Sequence, residues 1–165
     1  MALIEPQIPP NTGNIARLCA ATETSLHLIE PLGFSLDDAE LRRAGLDYWD
    51  AVDVWVHPSW RHFRGAIARE RCWYFSAHGE RSLWEARIPD GSCLVFGNET
   101  AGLPQRIRDK HPERVFRIPM TGPVRSLNLA TAVGIALYDV LKGVSVQAEG
   151  ISTTPHRGER AGAMR

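Results

Sequence analysis

Ile118-Pro119-Met120-Thr121-Gly122-Pro123-Val124-Arg125-Ser126-Leu127-Asn128-Leu129-Ala130-Thr131-Ala132-Val133-Gly134-Ile135-Ala136-Leu137-Tyr138 reads as a strand end, a loop and a helix. Val115, Phe116 and Ile118 form a short β-type run, and Pro119 stops it because proline has no N–H to give a sheet ladder. Gly122-Pro123 makes a turn. Ser126 is placed to cap the helix that follows, its hydroxyl accepting from an amide of the first turn. Leu127, Leu129, Ala130, Val133, Gly134, Leu137 and Leu141 recur at helical spacing and mark a buried face. Asn128 adds an amide to the first turn, and a helix start bearing a hydroxyl and an amide commonly holds a ligand. Periodicity alone favours an ordinary capped helix over a ligand site.

The strands before this stretch lead to similar loops. Ser92 to Phe96 is almost continuously apolar, as in the middle of a parallel sheet, and runs into Gly97-Asn98-Glu99-Thr100-Ala101-Gly102-Leu103-Pro104. Two glycines around a polar pair let backbone approach a ligand closely, although Glu99 has a local alternative as cap of a helix over Pro104 to Lys110. Cys72 to Ser76 is another strand, and Ala77-His78-Gly79 leaves its carboxyl end, where open α/β sheets hold ligands. His78 invites an acid/base role but reads first as a solvated loop histidine. Upstream, Trp60 to Arg69 is helical, Ala51 to Val56 alternates as a strand, and Leu26 to Glu30 is a strand ended by Pro31, with His27 an ordinary strand residue. Leu36 to Ala44 has helical composition closed by Gly45.

At the start, Ala2 to Glu5 is a minimal strand stopped by Pro6, short beside the usual length of about 5–6 residues. Pro9-Pro10 keep the chain extended, Asn11 or Thr12 caps a helix, and Ile15, Leu18, Cys19 and Thr22 mark its face. On the residues alone, Asn11, Gly13 and Asn14 are turn chemistry and Arg17 is a surface charge one turn into the helix. The β-α alternation implies an α/β fold, a mostly parallel sheet of about six strands with helices on both faces.

Composition narrows the function classes. The 165 residues suit one domain, and an apolar fraction of 44% is that of a globular chain. No apolar run approaches the roughly 20 residues of a membrane span, and no charged and apolar leader opens the chain, so the expected location is cytoplasmic. Three widely spaced cysteines, Cys19, Cys72 and Cys93, argue against a disulfide framework or a zinc site and read as buried free thiols. With 19 basic and 19 acidic residues, non-specific nucleic-acid binding has little electrostatic support, though Arg42-Arg43 and the group Arg61, His62, Arg64, Arg69 and Arg71 are local candidates. From Val144 to Arg165 the apolar period disappears, so a domain over 1–143 is followed by a flexible tail over 144–165.

The literal wording of three stretches carries a resemblance. Ile118-Pro-Met followed by Ser126-Leu-Asn-Leu-Ala-Thr-Ala resembles the third motif of the SPOUT methyltransferases. Phe96-Gly-Asn-Glu-x-x-Gly102-Leu resembles the second motif, and Asn11-Thr-Gly-Asn-Ile-Ala-Arg17 the first. Leu41-Arg42-Arg43-Ala-Gly45-Leu-Asp47-Tyr48-Trp49 is similar to the TrmL (YibK-like) group within that family. The resemblance spans nearly everything from Ala2 to Leu141.

What it implies is a C-terminal trefoil knot, S-adenosyl-L-methionine as cofactor, no metal, a homodimer, and methylation of the 2′-hydroxyl of the wobble nucleotide in a tRNA anticodon stem-loop. Carried over residue by residue, Arg17 and Asn128 serve the chemistry. Ala77, Gly97, Glu99, Ile118, Ser126 and Leu127 form the cofactor site. Asn11, Asn14, Arg42, Arg43 and Tyr138 face the RNA or the partner subunit. Two other function classes remain at this point: methylation of rRNA or another tRNA position, and a non-catalytic RNA-binding module.

Overall fold

A computed structural model describes residues 1–36 and 49–145. The expected helix from Leu36 to Ala44 and the Arg42-Arg43 pair fall almost wholly outside the described residues, as does nearly all of the tail. The strands are β1 (Ala2–Ile4), β2 (Leu26–Ile29), β3 (Val54–His57), β4 (Cys72–Phe75), β5 (Arg81–Ser82), β6 (Cys93–Phe96) and β7 (Val115–Arg117). The helices are α1 (Pro9–Ala21), α2 (Trp60–Ala66), α3 (Gln105–Lys110) and α4 (Leu129–Ser145). Short 3₁₀ turns at Trp49–Ala51, Arg69–Arg71, Leu83–Glu85 and Pro112–Arg114 fill some of the connections.

The sheet has seven strands in the order β3-β2-β1-β6-β4-β7-β5, and every pairing is parallel. The seventh strand, beyond the six expected, is β5, whose two residues at the sheet edge are too few for any period to register. Three residues suffice for β1 because β2 and β6 pair with it on both sides and Ala2, Leu3 and Ile4 are all buried. Strand β1 ends at Ile4; the Glu5 N–H still donates to the Ile29 carbonyl at 2.8 Å, and the backbone turns away there at φ 52°, one residue before Pro6.

Successive strand residues divide between the two faces of the sheet. Leu3, Leu28, Leu94 and Phe96 join Ile15, Ala16 and Cys19 of α1 and Val133, Ala136 and Leu137 of α4. Ile4, Ile29, Tyr74, Val95 and Val115 join Phe63 of α2 and Ile107 of α3. Helices therefore cover both faces, which accounts for the nearly continuous apolar reading of β6. The helix expected over Trp60 to Arg69 stops at Ala66, because Ile67 turns extended and Arg69–Arg71 forms a separate 3₁₀ turn. Among the described residues no helix is long and apolar enough to cross a membrane.

Strands β1 to β3 step outward on one side of β1, and β4 and β6 lie on the other. The reversal falls between β1 and β6, and in open α/β sheets the crevice beyond the carboxyl ends at such a point is the usual ligand site.

Candidate active site

A cavity of about 800 Å³ opens at that crevice. Phe75 to His78 line it from the end of β4, Phe96 to Leu103 from the end of β6, and Ile118, Met120 and Arg125 to Leu129 from the segment after β7. Ile8 and Asn11 reach it from the start of α1. All three loops singled out in the sequence meet here, and Ala77, Gly97, Glu99, Ile118, Ser126, Leu127, Asn11 and Asn128 all stand in its wall. Arg17, Asn14 and Tyr138 do not. Arg17 and Asn14 are exposed on α1, and Tyr138 is 56% exposed on α4.

Backbone contact shapes the cavity's β6 side. A Cβ built on Gly97 would lie 2.0 Å from the carbonyl carbon of Gly102, so the loop closes on itself only because residue 97 has no side chain. Gly102 sits at φ +66°, and its N–H donates to the Asn98 carbonyl at 3.0 Å. The Asn98 side chain completes the turn by accepting from the amides of Thr100 and Ala101.

Side-chain hydrogen bonds then tie the loops together. Glu99 accepts from the amides of Gln7 at 2.9 Å and Ile8 at 3.1 Å, and its Oε1 also accepts from Asn11 Nδ2 at 3.0 Å. Helix α1 has no side-chain cap of its own, so this carboxylate supplies acceptor and charge to its amino end from 91 residues away. Asn11 and Thr12 are consequently buried inside α1 and are not its cap, which corrects the sequence expectation; Gly13 and Asn14 likewise belong to the helix and not to a turn. Nor does Glu99 cap α3, whose N-cap residue is Pro104 and which has no side-chain cap bond. Asn11 Oδ1 in turn accepts from Asn128 Nδ2 at 2.9 Å.

Asn128 Oδ1 accepts from the amides of Ala130 at 2.9 Å and Thr131 at 3.3 Å. Asn128, not Ser126, is therefore the cap of α4, since the helix starts at Leu129 and Ser126 stands three residues before it. The chain Glu99–Asn11–Asn128 joins the loop after β6, α1 and α4 through four side-chain atoms. Local spacing rules could not have found it, because its partners are 88 and 117 residues apart.

Parallel strands, helices on both faces and a cavity over the switch point define a doubly wound α/β protein with a ligand crevice, and residues 1–138 match the SpoU rRNA Methylase family, to which the chain belongs. A tRNA (cytidine(34)-2′-O)-methyltransferase of Saccharophagus degradans is 49% identical over 140 residues, covering 84% of this chain and 91% of that one. A solved structure described as giving insights into the 2-OH methylation of C/U34 on tRNA superposes with TM-score 0.82 at 49% identity, covering 88% of this chain and 95% of that one. An AdoMet-bound rRNA methyltransferase of Sinorhizobium meliloti shares the fold at TM-score 0.76 and 24% identity, covering 87% of this chain and 55% of that one. By membership and by likeness over most of its length the chain is a methyltransferase.

Proposed function

We infer that the chain methylates the ribose 2′-hydroxyl of the wobble nucleotide, cytidine or a modified uridine at position 34, in tRNA, with S-adenosylmethionine as donor. The observation that supports this most is the convergence of Ala77 and His78, Gly97 to Gly102, and Ile118, Met120, Arg125 and Ser126 on one cavity beside the Asn11–Asn128 pair. The donor set fits the cofactor. A neutral adenine ring needs edge hydrogen bonds between apolar walls, and Phe96, Leu103, Ile118 and Leu127 stand in the cavity wall beside polar Ser76, Asn98 and Ser126. Bound there, the cofactor supplies a methyl group on a sulfonium that an oxygen nucleophile can displace.

The backbone of Gly97 and Ile118, with Ala77, Ser126 and Leu127, holds the adenosine. Glu99 keeps the loop after β6 against α1. Asn128 uses both side-chain atoms internally, so it positions Asn11 and the start of α4 before touching ribose. A guanidinium such as that of Arg17 is a poor base; it fixes the adjoining phosphate and stabilises the developing alkoxide. Because Arg17 is exposed and does not line its own cavity, it serves the cavity of a second copy, and the site is completed in a homodimer. Exposed Ile8 and Val124 beside the cavity and exposed Tyr138 on α4, which packs on α1, suit such an interface. Asn14, Arg42 and Arg43 contact the anticodon stem-loop, and the enzyme works in the cytoplasm.

A trefoil knot accords with the path of the chain. Strand β7 lies outside β4, yet α4 packs on α1, so residues 118–128 must cross the ends of β4 and β6.

The test is transfer of labelled methyl from S-adenosylmethionine to bulk tRNA from a strain lacking the protein, followed by nuclease mapping. Label on a 2′-O-methylated nucleotide 34 is expected; label in rRNA alone would move the substrate, and no label would overturn the proposal. Arg17→Ala should abolish transfer while cofactor affinity stays within about twofold.

A further inference from the structure

Cys72 and Cys93 are 21 positions apart in sequence, yet they are direct partners in the parallel pairing of β4 with β6. Both point to the same face of the sheet, where they share a core cluster with Val95, Tyr74 and Phe63. The two thiols act directly on each other's titration. Adjacent strands run about 4.8 Å apart, inside the roughly 4.4–6.8 Å between Cα atoms that a disulfide spans, so the backbone separation at this pair is within the reach of a bridge.

The two sulfurs are in different surroundings. Cys93 is 7% exposed and Cys72 is fully buried. Arg64 Nη1 donates to Cys72 Sγ at 3.1 Å, while Cys72 Sγ lies 3.7 Å from the carbonyl oxygen of Ala68. The hydrogen bond from Cys72 lowers the Cys93 thiol, with Arg71 acting in the same direction, whereas the same pairing and burial raise the Cys72 thiol. Cys19 lies in the cluster on the other face, and burial raises its thiol to about 11.

We propose that Cys72 and Cys93 form a redox modification site that a peroxide closes to a disulfide, with Cys93 the attacking sulfur and Cys72 the resolving one. The Cys93 thiolate attacks one peroxide oxygen, the O–O bond breaks, and the other oxygen leaves as water after taking up a proton. Cys93 becomes a sulfenic acid, oxidised by two electrons. The Cys72 sulfur then attacks the Cys93 sulfur, the S–O bond breaks, and the hydroxyl leaves as water with the proton of Cys72. In sum, two thiols and one hydrogen peroxide give a disulfide and two waters. The bridge would join β4 and β6 at their amino ends, three residues below Phe75 and Phe96 in the cavity wall.

The full-length protein is treated with hydrogen peroxide, alkylated and mapped by mass spectrometry. A cross-linked peptide pair containing Cys72 and Cys93, two hydrogens lighter than the dithiol and restored by dithiothreitol, is expected, with Cys19 alkylated at least about tenfold more slowly than Cys93 before oxidation. In Cys72→Ser, dimedone should trap a sulfenic acid at Cys93; in Cys93→Ser, Cys72 should stay reduced. The proposal is overturned by a wild-type protein that forms no Cys72–Cys93 bridge, or by oxidation of Cys72 without Cys93.

Discussion

Among the described residues the buried polar side chains are Asn11, Thr12 and His57, and they divide between two regions held by different forces. Around Asn11, a carboxylate and two amides lock loops through directional bonds of 2.9–3.1 Å. Around His57, at the β2–β3 edge, His27 Nδ1 and His57 Nε2 lie 3.0 Å apart inside a set of rings. Phe63 presents its edge to both histidines, at 5.8 and 5.4 Å between centroids, and Trp55 stacks on His27 at 6.4 Å. Ring packing tolerates small displacements, whereas a hydrogen bond weakens steeply with angle. The cavity side is thus sensitive to single atoms, and the edge to protonation.

The largest blow falls on the cavity side. Gly97→Ala places a methyl group on the backbone of Gly102, and the loop must open. The expected cost is at or above the top of the roughly 1–3 kcal/mol range of overpacking. S-adenosylmethionine affinity in calorimetry should fall at least about tenfold, and near-normal binding would show that the loop is not the cofactor's cradle.

Next comes the web itself. Glu99→Gln turns an acceptor into a donor facing amide N–H groups and removes a charge from the amino end of α1. A loss of about 2 kcal/mol in urea unfolding is expected, the scale of hydrogen bonds to a charged group. Asn128→Ala should cost about 1–2 kcal/mol, since it removes a helix cap and leaves buried Asn11 Oδ1 without that donor. If both variants unfold like the wild type, the web is not what fixes the loops.

These contrasts also explain how much was legible. Strand and loop wording located the three cavity loops, because β-runs ending in glycine and proline are local signals. The Glu99 bonds to Gln7 and Ile8 were not legible, since a capping rule looks three residues along and this cap comes from another loop. Cys72 and Cys93 read as separate thiols for the same reason: only the strand order makes them neighbours. His27 read as a plain strand residue, and it is one, but its partner emerges only when β3 is placed beside β2.

The edge answers to pH. Burial, then the charge of the amino terminus, then His57 bring His27 down to about 4, and burial lowers His57 as well. A base whose folded value is depressed takes up its proton more readily when unfolded, so its stabilising share is present above the unfolded value of about 6.5 and is lost as pH falls toward 4. Discounted for the solvent that reaches His27, the loss is on the order of 1 kcal/mol. The melting temperature of wild type should therefore drop between pH 6.5 and 4 by more than that of His27→Gln. Equal drops in the two proteins would place the acid-sensitive group elsewhere. Trp55 fluorescence follows the same edge, because its ring lies on His27.

The smallest effect separates a residue that binds from one that builds. Ser126 stands in the cavity wall, exposed, and α4 begins three residues later on a cap supplied by Asn128. Had Ser126 been the cap, its truncation would cost about 1 kcal/mol. Since it is not, Ser126→Ala should change the unfolding free energy by less than about 0.5 kcal/mol, the usual range for an exposed site. The same variant should still weaken S-adenosylmethionine measurably, because a hydroxyl in the cavity wall is lost. A cofactor affinity that stays put while stability falls would reverse the assignment and return the cap to Ser126. Stability that stays put while affinity falls confines Ser126 to the ligand side and leaves the architecture of the helix start to Asn128.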